Sequence, residues 1–165
     1  MSSDARGESQ LDGRVAEHLH TGEALRAVVL VSRADGRTAV GVSRGEMSPF
    51  RLRIRRAEVD GPGARRGVQG RPDSLAVGLD EHIRIVTHPR VLALTERRLM
   101  VLRKRAGLFG LGSKGVPPLR LLWECRREEL VSAGERGGHL RLSFRDGSAV
   151  TLLTPSAGVR DFLAG

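Results

Sequence analysis

Val91-Leu92-Ala93-Leu94-Thr95-Glu96-Arg97-Arg98-Leu99-Met100-Val101-Leu102 reads as two apolar β-strands, Val91 to Leu94 and Leu99 to Leu102. Thr95 to Arg98 form a short polar link between them. Each apolar run is too short for a helix, and the link interrupts any helical period, so the stretch predicts an antiparallel hairpin.

Turn and strand signals continue on both sides. Upstream, Ala24 to Ser32 is a Val-rich strand, and Asp35-Gly36 is a hairpin signal leading into Arg37 to Ser43. Phe50 to Arg55 alternates strictly, which would put Phe50, Leu52 and Ile54 on the core and Arg51, Arg53 and Arg55 in solvent. Residues 57–74 are rich in Gly, Pro, Arg and Asp and read as a flexible loop. Residues 75–88 fit two periods: Ile83 and Ile85 alternate, whereas Leu79, Ile83 and Val86 share a helix face. His88-Pro89 ends either element.

Downstream, Leu119 to Cys125 is a strand containing Trp123, and Glu129 to Ala133 is another. His139 to Phe144 alternates, and Asp146-Gly147 turns the chain into Ala149 to Thr154. Pro155-Ser156 opens a closing helix over 157–163, with Ser156 as its N-cap and Val159, Phe162 and Leu163 inward. At the other terminus, residues 1–9 are polar and expected to be a disordered tail. Leu11, Val15 and Leu19 then predict a short amphipathic helix over 10–20. Residues 10–165 thus form one mainly β domain, a small sandwich or partly open barrel of two antiparallel sheets. Trp123 and Leu99 are expected in its core.

The composition narrows the function. Only 39% of the 165 residues are hydrophobic, Tyr is absent and aromatics make up 3%, so the core is aliphatic. Scarce aromatics also disfavour single-stranded nucleic acid as a partner, because base stacking needs ring platforms. The net charge is +9, and Lys104 and Lys114 are the sole lysines among 28 basic residues. That skew towards Arg fits a GC-rich bacterial genome. The charge still draws the protein to anionic surfaces in a salt-sensitive way. A single cysteine, Cys125, excludes an internal disulfide and points to a reducing, cytoplasmic setting. The polar N-terminus does not read as a signal peptide, and no apolar run reaches the ~18 residues of a membrane span.

The Leu94-Thr95-Glu96-Arg97-Arg98-Leu99 hairpin, Gly22-Glu23 ahead of the first strand, and Trp123 in a mid-chain strand resemble the bacterial PH-like (pleckstrin-homology-like) domains. So do Leu140 to Phe144, the Asp146-Gly147 turn and the closing helix. The likeness covers about residues 22 to 164. It implies two nearly orthogonal antiparallel sheets with the last helix plugging the open end, and a binding role with no catalytic residue and no cofactor. The segment 44–75 is longer than that pattern expects, and the last helix is short for a plug.

Two motifs point to enzymes and fail on context. Gly41-Val42-Ser43-Arg44-Gly45 matches a nucleophile elbow, but Pro49 and an alternating strand follow where a helix is required. A small serine hydrolase using Ser43 is therefore the weakest functional reading. Gly110 to Gly115 matches G-x-G-x-x-G, but Val116-Pro117-Pro118 follows in place of a helix. The five histidines are scattered, and only His18 and His20 are close, so no metal site is expected. Cys125 reads as a buried small apolar residue.

Two basic features remain. Leu108, Phe109 and Leu111 sit on a Gly-rich loop between Arg103, Lys104, Arg105 and Lys114. Apolar tips rimmed by cations suit an anionic membrane surface; the plainer alternative folds Phe109 or Leu111 back onto the core. Arg51, Arg53 and Arg55 form a stripe that suits phosphates, or simply a solvated edge strand. The expected function is a cytoplasmic, non-catalytic binding module for a protein partner or for the anionic inner face of a membrane. Arg-driven nucleic-acid binding is the alternative.

Overall fold

The structure, a computed structural model, describes residues 2–34, 67–84, 88–105 and 116–164. The elements are α1 (Ser2–Ala16), β1 (Leu25–Arg33), β2 (Val68–Gln69), α2 (Leu75–His82), β3 (Arg90–Thr95), β4 (Arg98–Lys104), β5 (Leu119–Arg126), β6 (Leu130–Arg136), β7 (His139–Phe144), β8 (Ala149–Leu153) and α3 (Ser156–Ala164). A 3-10 turn, Arg127–Glu129, joins β5 to β6.

The described strands pair antiparallel in the order β5-β4-β3-β1-β8-β7-β6, and β2 also lies on β8. Among the described residues the sheet does not close on itself. β1 is the hinge of the arrangement: Leu25 to Val31 pair with β3, while Ser32 and Arg33 pair with β8. One strand thereby belongs to both halves of the sheet and bends them around a common interior.

The hairpin forms as its sequence predicts, with Val91 opposite Leu102 and Leu94 opposite Leu99. Thr95 and Arg98 join the strands, so the link shortens to Glu96-Arg97. Its strands are apolar on both faces because both faces are buried. Leu92, Leu94, Leu99 and Val101 line the main core with Ala27, Val29, Leu140, Leu142, Val150 and Leu152. Val91, Ala93, Met100 and Leu102 form a second cluster on the outer face, sealed by Val15 with Leu11 and Leu19 at its margin. Each fully buried Val or Leu contributes about 1.5–3 kcal/mol.

That second cluster accounts for α1. The helix starts at Ser2, within the stretch expected to be a tail, and ends at Ala16, short of the expected 20. Arg14 Nε donates to Val116 O at 2.9 Å and His18 Nε2 lies 3.1 Å from Leu119 O, so its C-terminal end is tied to the sheet.

Residues 75–82 resolve to a helix, with Ala76 and Leu79 buried and Ile83 following in extended backbone. The helix has no side-chain cap of its own, since Ser74 makes none. Asp146 Oδ2 accepts from Leu75 N at 2.7 Å and Ser148 Oγ from Ala76 N at 3.1 Å, so the β7–β8 turn, distant in sequence, caps α2. Residues 68–69, expected to be loop, pair with β8.

At the C-terminus, Val159 and Phe162 are buried as expected, but Leu163 is 41% exposed because it falls off the narrow face that meets β1. Trp123 and Cys125 are only partly buried: they lie on β5, which among the described strands is at the edge of the sheet. The indole stacks edge-on against Phe144, with ring centres 6.4 Å apart. Leu99 is fully buried. The Asp35-Gly36 turn, the strands expected over 37–43 and 50–55, and Ser43 lie outside the described residues. So do Arg51, Arg53, Arg55 and the loop tip with Leu108, Phe109, Leu111 and Lys114.

Candidate anion-binding end

Continuing the in-out alternation to the ends of four neighbouring strands gives one result. On β1 the core positions Ala27, Val29 and Val31 lead to Arg33, and on β3 Leu94 and Leu92 lead to Arg90. On β4 Leu99 and Val101 lead to Arg103, and on β5 an irregularity in the pairing sets Arg120 opposite Arg103. Val91 pairs with Leu102, so Arg90 and Arg103 occupy the next rung. Arginines thus line the same end of adjacent strands, with Arg84 beside them after α2. Lys104 and Arg105 add exposed charge at the rim.

Like charges opposite one another on a sheet destabilise it. Burial depresses the proton affinity of Arg90, and the neighbouring charges of Arg84 and Arg103 depress it further. Asp80 offsets one cation: its Oδ2 lies 3.5 Å from Arg33 Nη2. Among the described residues no carboxylate pairs with Arg84, Arg90, Arg103 or Arg120. Among the described residues Arg103 Nε is buried with no hydrogen-bond partner, and leaving a buried donor unsatisfied costs about 1–3 kcal/mol. Backbone oxygens at the end of α2 take part of the load: Arg90 Nε donates to His82 O at 2.9 Å.

The opposite end of the sheet is built differently. Glu23, whose side chain is fully buried, accepts from Arg98 Nε at 2.9 Å, Arg98 Nη2 at 3.0 Å, the Thr95 hydroxyl at 2.6 Å and His20 N at 2.9 Å. Arg98 also donates to Glu124 and, at 2.6 Å, to His18 O. Burial by itself would raise the Glu23 carboxyl; the bonds from Arg98, His20 N and Thr95, with the charge of Arg98, outweigh it and hold the group at about 2. Here Arg98 is answered by two carboxylates, Glu23 and Glu124. An open depression of about 530 Å³ at this end is lined by Glu96, Arg97, Arg126, Arg127, Glu128 and Leu130, again with mixed charge.

Of the sequence-predicted site residues, Arg103, Lys104 and Arg105 stand at the basic end, and Leu108, Phe109, Leu111 and Lys114 lie outside the described residues. Arg33, Arg84, Arg90 and Arg120 were missed. Their signal was weak but real: an Arg sits where each apolar strand begins or ends, and only the pairing brings them together.

The remaining candidates do not converge. His20 is exposed and 4.0 Å from Glu23, while His18 faces Leu119 O. Among the described residues no group of three or more His, Cys, Asp or Glu could hold a metal. Burial first, then the negative charge of Glu129, Asp146 and Glu124, pushes the Cys125 thiol up to about 12, which keeps it protonated and weakly nucleophilic. No described helix is long and apolar enough to cross a membrane. The chain matches no family model, no curated protein and no solved structure.

Proposed function

We propose that this chain is a non-catalytic binding module of PH-like type that docks its basic end on an anionic membrane surface. The observation that carries the reading is the row Arg90, Arg103 and Arg120. These cations are drawn together on adjacent strands at a cost in stability, and no carboxylate among the described residues answers them. Charge gathered without a partner is a site waiting for one. The PH-like part is supported by the strand order, by β1 serving both halves of the sheet, and by a last helix packed on β1. The Arg103-Lys104-Arg105 run adds to the same end. A cytoplasmic setting, at the inner face of a bacterial membrane, follows from this reading.

Co-sedimentation with vesicles of phosphatidylcholine containing phosphatidylglycerol tests it. Each cation near such a surface is worth about 1 kcal/mol. Arg103→Ala with Arg120→Ala should therefore weaken binding about 30-fold at low salt. Equal binding by the double variant, or no binding by the parent, would sink the proposal.

A further inference from the structure

We infer that the last turn of α2 is a resident pseudo-ligand of the basic end, holding arginines that lipid phosphates would otherwise take, so that α2 restrains binding. The inference rests on the reading of that end as an anion site and adds its regulation.

Three successive residues at the end of α2 offer their carbonyls to three different arginines. Arg90 Nε donates to His82 O at 2.9 Å, Arg84 Nη1 to Glu81 O at 3.3 Å and Arg33 Nη2 to Asp80 O at 3.4 Å. The Asp80 carboxylate stands 3.5 Å from the same Arg33 nitrogen. A helix C-terminus carries partial negative charge, so it attracts guanidinium groups and repels an arriving anion. The helix end and a phosphate therefore compete for the same donors. Among the described residues no hydrogen bond joins Arg103 or Arg120 to these α2 carbonyls, so they remain for the first encounter.

The restraint can be loosened from far away. α2 spans only residues 75–82, and its first turn is capped by Asp146 and Ser148 of the β7–β8 turn. Ser148 Oγ in turn donates to Asp146 Oδ1 at 2.5 Å. Weakening that cap disfavours the docked helix without touching an arginine. The protein also carries its own reporter. Trp123 is the sole tryptophan, and its Nε1 lies 3.3 Å from where a Cβ on Gly78 of α2 would stand.

The experiment is vesicle binding by the full chain with the same phosphatidylglycerol mixture, followed by sedimentation and Trp123 emission. Ser148→Ala, neutral in charge, should bind up to about fivefold more tightly, the limit set by losing one helix cap. Asp80→Asn should also bind more tightly, and by more than Glu135→Gln, which removes the same charge on the distant β6. Wild-type Trp123 emission should shift as vesicles are added. Circular dichroism checks that each variant is folded; if Ser148→Ala is not, Asp80→Asn against its control carries the comparison. Unchanged affinity in both variants with constant Trp123 emission overturns the α2 restraint. The basic end would still stand if Arg103→Ala with Arg120→Ala weakened sedimentation about 30-fold. No sedimentation by wild type overturns both.

Discussion

Glu23 and Arg98 are 75 residues apart, yet they form the most heavily bonded pair in the described structure. Breaking a buried ion pair from one side costs about 3–5 kcal/mol, because the remaining charge stays desolvated. Arg98 keeps the half-exposed Glu124, so Glu23→Gln should fall at the low end, about 3 kcal/mol by urea unfolding at neutral pH. The pH dependence follows from the depressed carboxyl, about 2 when folded against an ordinary 4.5. Its stabilisation is complete above 4.5 and is lost as pH falls from there towards 2; it amounts to about 3 kcal/mol. Wild type should therefore lose stability through that window faster than Glu23→Gln. Parallel curves for the two proteins would show that Glu23 is not held as described. Sequence reading singled out Gly22-Glu23 and the hairpin separately. It could not join them, because a contact between residues so distant leaves no periodic trace.

The β3–β4 hairpin and the β7–β8 turn were legible because strand period and turn chemistry are local properties. α2 was not, because its cap comes from Asp146 and Ser148 and its last apolar residue, Ile83, is already extended. Nor did sequence alone show that Leu163 would point outward. α3 approaches β1 so closely that a Cβ on Gly158 would stand 2.6 Å from Val29 Cγ2 and 3.3 Å from Thr154 Oγ1. Val29 is β-branched and buried, so its methyl has few rotamers to retreat into. Alanine would improve helix propensity by about 1 kcal/mol, but overpacking of this kind costs about 1–3 kcal/mol. Gly158→Ala should be destabilising by about 1 kcal/mol, and a raised melting temperature would show that α3 can lift from β1 freely.

Among the described residues, the two ends of the sheet carry their charge differently. One end of the sheet holds Arg98 between the carboxylates of Glu23 and Glu124, and the other carries arginines with little to answer them. A net charge of +9 alone would give weak attraction to any anion; the row Arg90, Arg103 and Arg120, on adjacent strands, would add an orientation. The chain leaves that end at Lys104-Arg105 and returns through Val116 to Leu119, where Arg105 N donates to Pro118 O at 2.8 Å. The segment between, with Leu108, Phe109 and Leu111, therefore starts and finishes beside Arg103 and Arg120. The expectation from sequence that Phe109 enters an anionic surface is therefore tested together with the basic end. Full burial of its ring would add roughly 1.5–3 kcal/mol to the electrostatic attraction, a part that salt does not screen. Phe109→Asp removes that gain and places a negative charge against an anionic surface, so vesicle binding should be lost at low salt while the melting temperature holds. For the parent, raising salt shortens the screening length from about 10 Å at 0.1 M to about 3 Å at 1 M. Binding should fall steeply but not to nothing, since the apolar part persists. Wild-type binding that vanishes entirely in salt, with Phe109→Asp no weaker than the parent, would mean that the arginines act alone.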